Sequence, residues 1–303
     1  MKQHSRQMQK PKEDKLINSI INVALIIIGI IVVYPLWIVL ISSISDPAEI
    51  SSGKVWILPK GINIEAYKIL LENGDLWIGY RNSLLYTIFG TALQMLITTP
   101  AAFALAKKTL PGRRWLILFF LFTMYFSGGL IPTYFVVKDL GLVNTPWALI
   151  LPGLVGPYNL VIARTYYENS IPEDMYEAAR IDGAGTYRCF VQIALPLSVP
   201  VLAVMILNFA LGHWNSYMNA LVYISDDNIQ TLQVFIKRIT TQATTALESG
   251  AGNIDITELT DSIRKTQLLK YAVVVVSSIP MIMLYPFIQK HFVKGIMLGS
   301  VKE

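Results

Sequence analysis

An all-α integral membrane protein with six transmembrane helices and both termini in the cytoplasm is the fold class that this sequence predicts. Three observations predict it. Of its 303 residues, 53% are hydrophobic and only 15% charged, with a mean hydropathy of +0.50, too apolar a balance for an ordinary soluble domain. The apolar residues gather into six runs of about 20 residues or more, the length that crosses ~30 Å of hydrocarbon. Between the runs the cations alternate in density. Fifteen of the 25 Lys and Arg fall within the 69 residues of 1–15, 107–114, 164–194 and 289–303, against 10 in the 93 residues of 46–81, 137–147 and 225–270. That asymmetry is the positive-inside pattern and places the first group in the cytoplasm, so the net charge of +5 is not a nucleic-acid footprint.

Residues 1–15 carry five basic residues and no apolar pattern, and form a cytoplasmic tail. A first transmembrane helix follows at 16–45, its apolar run extending from Leu16 to Ile41. Ser43-Ile44-Ser45 is a small-x-small triplet of the kind that precedes signal cleavage. The run far exceeds the ~7–15 residues of a signal-peptide core, however, so it reads as a retained span. Residues 46–81 form an external loop, punctuated by the turn signals Asp46-Pro47, Pro59-Lys60-Gly61 and Asn73-Gly74-Asp75.

Residues 82–288 hold the remaining five helices. The second span runs from about Asn82 to Ala106, and the four cations among residues 107–114 mark a cytoplasmic turn after it. The third, about Trp115 to Val136, includes Gly128-Gly129 and Pro132. The fourth, about Thr145 to Tyr166, contains Pro146, Pro152, Gly153, Gly156 and Pro157. Breakers at that density free backbone groups that lipid cannot satisfy, so the segment should face protein or a water-filled cavity; ordinary kinks within a bundle account for it equally.

The fifth span, about Pro196 to Ile224, carries Asn208, Asn215 and Asn219, whose spacings of seven and four put them on one helical face. A second external segment, 225–267, contains Leu232, Phe235, Ile236 and Ile239, the spacing of an amphipathic surface helix capped around Asp226-Asp227-Asn228. Gly250-Ala251-Gly252-Asn253 ends it, and a second short helix starts after Asp255 with Glu258 as its capping partner. The sixth span, about Leu268 to Ile288, contains Pro280 and Pro286, and 289–303 is a basic cytoplasmic tail.

The cytoplasmic loop 164–194 is the longest mixed-charge stretch between apolar runs. Ser170 and Glu173 have capping-box spacing and Pro172 suits a first turn, so a short helix should begin near Ile171. It should end at Gly183, where glycine takes a left-handed cap cheaply. A side chain there should strain the backbone and, where another protein packs closely against the helix, crowd that contact. Glu177-Ala178-Ala179, Gly183, Ile193, Leu195 and Pro196 spell EAA-x3-G-x9-I-x-L-P, a coincidence on the order of one in 10^8 per starting position at average residue frequencies.

That pattern resembles the cytoplasmic coupling loop of binding-protein-dependent ABC importer permeases. The resemblance extends over roughly 16–303. It is nearest to the second permease of maltose-type and lipoprotein-associated oligosaccharide systems, through Trp214-Asn215, the run Leu195-Pro196-Leu197-Ser198-Val199-Pro200 and the tail Val293-Lys294-Gly295-Ile296-Met297-Leu298-Gly299-Ser300. It implies the type I ABC importer permease fold and a carbohydrate substrate, an oligosaccharide. The implied partners are a second permease in a heterodimer, two ATPase subunits and an external solute-binding protein of the lipoprotein kind, all set in membrane lipid. ATPase coupling would fall to Glu177, Ala178, Ala179, Arg180, Asp182, Gly183, Ile193, Leu195 and Pro196. The segment 225–267 would correspond to the loop that reaches toward the binding protein, and the tail would approach the ATPases.

The chain itself has the marks of a non-catalytic subunit without cofactors. Its Gly53-Lys54 pair lacks the flanking residues of a phosphate-cradling loop, so ATP and Mg belong to partner subunits. His4, His213 and His291 are far apart and give no metal-ligand spacing, and the single cysteine, Cys189, excludes an intrachain disulfide. A substrate pathway is expected along Asn208, Trp214, Asn215 and Asn219, with Tyr158 and Asn159 opposite, because sugars take amide hydrogen bonds and aromatic faces. Asparagines that merely join helices, at ~0.6 kcal/mol per bond, are the rival explanation.

An ABC permease for a non-sugar solute remains the alternative, and a polytopic membrane enzyme a more distant one. The second to sixth spans contain no Asp or Glu, whereas such an enzyme presents clustered acids. An ion-coupled transporter likewise needs ionisable groups within the membrane.

Overall fold

The computed structural model describes residues 12–248, 264, 269–284 and 286. Those residues are helical throughout their ordered elements, with no strand among them. They fall into two compact units, one drawn from residues 12–70 and 242–276, the other from residues 71–241 and 277–286. The expected helix after Asp255 and the tail 289–303 lie outside the described residues.

In the first unit α1 (Lys12–Ser42) is an apolar rod of 31 residues, exposed along nearly its whole length from Ile17 to Leu36. Beyond it the chain doubles back. Asp46 N–H donates to the Lys60 carbonyl and Asn63 N–H to that of Ile44, while the Trp37 indole donates to Ile57 O at 2.8 Å. The turn signals here have become helix caps and bends. Asp46 caps α2 (Pro47–Ser51) by accepting from Ala48 N–H, and Gly61 takes φ +62°, with Asp46 Cβ 2.9 Å from where a Cβ would stand. An amphipathic helix, α3 (Glu65–Glu72), follows. The segment 46–81 is therefore largely helical rather than an open loop.

In the second unit α4 (Gly74–Ala106) is the central strut. Asn73 caps it by accepting from Asp75 N–H, so Asn73-Gly74-Asp75 starts a helix instead of breaking the chain, and α4 begins eight residues before the expected Asn82. The third span is two helices, α5 (Arg113–Tyr125) and α6 (Leu130–Asp139), bent by 115°. Gly128-Gly129 is the cause, since Gly129 at φ +84° leaves the right-handed region that a continuous helix needs.

The fourth span is likewise divided, into α7 (Trp147–Ile150) and α8 (Pro157–Asn169), with Gly153 at φ +79° between them. After α9 (Glu173–Ile181), α10 (Thr186–Cys189) continues through a π-helical turn, Phe190–Ala194, into α11 (Leu195–Leu197). An 81° bend then leads to α12 (Val199–Trp214), which starts three residues after Pro196. α13 (Tyr217–Tyr223), a 3₁₀ turn at Asp227–Ile229 and α14 (Leu232–Glu248) complete the series of assigned elements. A further apolar helix, α15, spans Leu269–Leu284.

Among the described residues two helices, Ile17–Ser42 and Gly74–Ala106, are long and apolar enough to cross a membrane, and each of two bent pairs qualifies as one broken span. α4 packs principally on α12 and α8. At one end of this layer Phe103, Tyr167, Tyr176 and Met205 form a buried cluster. At the other, Tyr86, Leu149, Tyr223 and Val234 form a second.

Candidate functional site

The Glu177–Gly183 stretch lies on α9 and the turn that ends it. The helix starts at Glu173, with Pro172 at its cap and no side-chain cap bond, while Ser170 closes α8 instead. The expected capping box is thus not formed; Ser170 N–H is already held by Tyr166 O. Two acids in the first turn, Glu173 and Asp174, and Arg180 in the last compensate by matching the helix dipole. At the other end Gly183 N–H donates to Arg180 O at 3.0 Å and Ala184 N–H to Ala179 O at 2.8 Å. With Gly183 at φ +77° this is a complete Schellman closure. A Cβ on Gly183 would meet nothing within 4 Å, so within the chain a substitution there meets backbone strain and no clash.

One side chain seats α9. Tyr176 is 3% exposed, its ring 5.9 Å from that of Phe103. Phe103 also meets Tyr167 edge-on at 5.8 Å and Phe190 at 5.1 Å, so three elements of the loop converge on one residue of α4. Burial pushes the Tyr176 phenol up to about 12. Lys107, directly after α4, lays its ammonium over Tyr176, and burial lowers its pKa. Glu168 receives Arg113 Nη2 and Arg164 Nη2, each at 2.6 Å, and this fastens the 107–112 turn to the end of α8.

The motif residues divide by direction. Ala179 and Ile193 pack on the buried cluster, and Leu195 is half-buried. Glu177, Ala178, Arg180, Asp182, Gly183 and Pro196 are exposed. Ile181, an apolar residue 86% exposed, and Met175, 42% exposed, stand on the same short helix. Sequence reasoning did not single out Tyr176, Phe103, Lys107, Met175 or Ile181. The aromatic one residue before the Glu-Ala-Ala was the available signal for Tyr176.

The expected pathway face is interrupted. α12 stops at Trp214, where Asn215 N–H bonds to Leu211 O and Ser216 N–H to His213 O. Asn-Ser pairs favour such caps over helix interiors. Asn208 therefore shares no continuous helical face with Asn215 and Asn219, both exposed. Trp214 is 2% exposed and packs 6.2 Å from the Tyr80 ring, so its face is taken. Asn208 does meet the fourth span, donating to Asn159 Oδ1 at 3.0 Å, while Tyr158 is 58% exposed.

Beside this pair lies a polar link that the sequence did not advertise. Gln94 Nε2 donates to Gly153 O at 2.9 Å, and its Oε1 lies 3.1 Å from His213 Nε2. The unwound segment of the fourth span is thereby held by α4 and, through His213, by α12.

At the other end α4 holds the segment before α14. Asn82 Nδ2 donates to Asn228 O at 2.8 Å and Gln230 O at 2.9 Å, Tyr86 OH donates to Ile229 O, and Ser83 Oγ accepts from Leu232 N–H. Gly79 lets Leu232 Cα approach to 3.0 Å from its would-be Cβ. Leu232, Phe235 and Ile239 are buried, on the amphipathic spacing expected of α14.

A bundle of broken apolar helices, with a short helix exposed on one face between two of its spans, is an architecture suited to a membrane transport subunit. The chain belongs to the family described as binding-protein-dependent transport system inner membrane component, whose model matches residues 76–298. Protein LplC of Bacillus subtilis is 37% identical over 275 residues, 91% of each chain. The polygalacturonan/rhamnogalacturonan transport system permease protein YtcP of the same organism is 36% identical over 291 residues, 96% of this chain and 99% of the relative. A chain in the crystal structure of a bacterial ABC transporter involved in the import of the acidic polysaccharide alginate superposes with a TM-score of 0.81 at 30% identity, covering 94% of this chain and all of that one. The protein is thus a multi-pass component of the cell membrane with the ABC importer permease fold.

Proposed function

We propose that this chain is one permease of a heterodimeric ABC importer that moves an oligosaccharide across the cytoplasmic membrane. The observation that carries the reading is the nearly end-to-end similarity to a polysaccharide-transport permease. On this reading six helices cross the membrane, with both termini, 107–114 and 164–194 in the cytoplasm and 46–81 and 225–267 outside. The exposed residues Glu177, Ala178, Arg180, Asp182 and Gly183 dock on one of two ATPase subunits, which bind ATP and Mg, while Ala179, Ile193 and Leu195 hold the loop in shape and Pro196 begins the return to the membrane. The external segment 225–267, anchored near its start by Asn82 and Tyr86, receives a solute-binding protein. Asn208 and Asn159, with Asn215, Asn219 and Tyr158, border the pathway, and Trp214 supports it from behind.

The test is uptake by the reconstituted complex over a panel of neutral and uronic-acid oligosaccharides. ATP-dependent accumulation of at least one of them supports the reading; accumulation only of a non-sugar solute replaces it.

A further inference from the structure

The turn after α4 and the start of α5 line an open cavity of about 650 Å³, whose walls include the cations Lys108, Arg113 and Arg114 and the apolar residues Trp115, Ile117 and Leu118. No carboxylate lines it. Arg113 is committed, its Nε donating to Leu105 O and its Nη2 to Glu168. Lys108 and Arg114 are exposed and form no ion pair among the described residues. The apolar side is equally open: Trp115 is 76% exposed and Leu118 46%, and the strip continues along α5 through Phe119 at 59% and Phe122 at 58%. α5 has no buried residue. Two free cations beside an interfacial tryptophan, with an apolar strip leading away, match a phospholipid in outline, charged phosphate first and acyl chains after. A soluble phosphate would use the cations and leave the strip bare.

We infer that this cavity binds the headgroup of an anionic phospholipid of the cytoplasmic leaflet, with the acyl chains along α5. The inference rests on the reading above that puts 107–114 on the cytoplasmic side. It is tested with the whole transporter in nanodiscs of mixed phosphatidylglycerol and phosphatidylcholine, by native mass spectrometry of the lipid that stays bound. Lys108→Gln with Arg114→Gln removes both free cations and spares the Arg113 pair. Each surface cation contributes about fivefold, so phosphatidylglycerol should be held about 25-fold more weakly by the double variant, with phosphatidylcholine unaffected. Wild-type retention would overturn the site. So would displacement of the lipid by soluble glycerol phosphate, which marks a free-phosphate site, or loss of the second permease from the variant, which marks a protein interface. Retention is read without transport, so its failure leaves the carbohydrate reading standing, and the uptake panel judges that reading separately.

Discussion

Lys107 Nζ lies 3.3 Å from the centroid of the Tyr176 ring and 4.7 Å from that of Phe103. The residue that ends the central helix is thereby locked onto the one buried side chain of α9. A force applied to the exposed face of α9 passes into α4 through this aromatic and cationic contact, and α4 in turn packs on α8 and α12. A close-packed contact of this kind transmits displacement because it has no slack.

The contact predicts a graded series at Tyr176. Its hydroxyl is buried with no hydrogen-bond partner among the described residues, so Tyr176→Phe removes an unsatisfied group and keeps the ring. It should leave the complex as stable or up to ~1 kcal/mol more so. Tyr176→Ala empties the socket and should cost ~3–5 kcal/mol, and Lys107→Met, which keeps the stem, ~1–2 kcal/mol. Thermal unfolding of the purified complex measures all three; equal melting of the Phe and Ala variants would show that α9 is not seated by this ring.

Titration gives an independent check. Burial raises the Tyr176 phenol from 10.0 to about 12. In the unfolded chain it loses its proton near its ordinary value, so the folded state holds more protons between those two points. Its contribution to stability is therefore complete below pH 10 and lost as pH rises toward about 12. The difference in phenolate absorbance between wild type and Tyr176→Phe should titrate near 12. A midpoint at the ordinary value would mean that the ring is open to solvent.

Some of this was legible in the sequence and some was not, for physical reasons. Gly183 announces the end of α9 because a left-handed cap demands a particular residue, and the Leu232, Phe235 and Ile239 spacing announces α14 because one face must be buried. The 115° bend after Tyr125 was invisible as a bend: Gly128-Gly129 shows that a helix can break, not which way the chain turns. The Asn208, Asn215 and Asn219 face assumed helical spacing across Asn215, where local capping won. Gln94, Tyr176 and Lys107 acquire their roles only from partners about 60 to more than 100 residues away, and no periodicity in one segment reports such a partner.

Gly90 shows how tight those distant partnerships are. A Cβ there would stand 2.4 Å from His213 Nε2, so Gly90→Ala must push the imidazole away from Gln94 and loosen the hold on Gly153. Overpacking of this kind should cost ~1–3 kcal/mol. In a His213→Ala background the clash is gone, and Gly90→Ala should add almost nothing, a non-additivity expected of contacting residues. Thermal melting of the single and double variants decides the point: additive losses would place the effect elsewhere on α4.

The last prediction concerns Gly183 and Glu177, which share a short helix but fail differently. Gly183 sits at φ +77° with open space around its missing Cβ, so any L-residue there carries backbone strain of roughly 1–2 kcal/mol and no internal clash. That strain falls on the Schellman closure from Ala184 to Ala179, and not on the buried Tyr176, so Gly183→Ala should still insert and should keep partial transport. Gly183→Asp adds a charge and bulk on the exposed side, where only a partner subunit can object. Glu177 is exposed, so Glu177→Lys alters nothing inside the chain and reverses one charge outside it. If the exposed face of α9 meets an ATPase, Gly183→Asp and Glu177→Lys should reach the membrane in wild-type amount yet lose uptake. In both, the ATPase should co-purify poorly, or hydrolyse ATP without responding to the binding protein. Reconstituted uptake, stimulated ATP hydrolysis and co-purification are scored together on the three variants. Coupled transport at wild-type rate by both Gly183→Asp and Glu177→Lys would make this face a solvated loop and remove it from the mechanism.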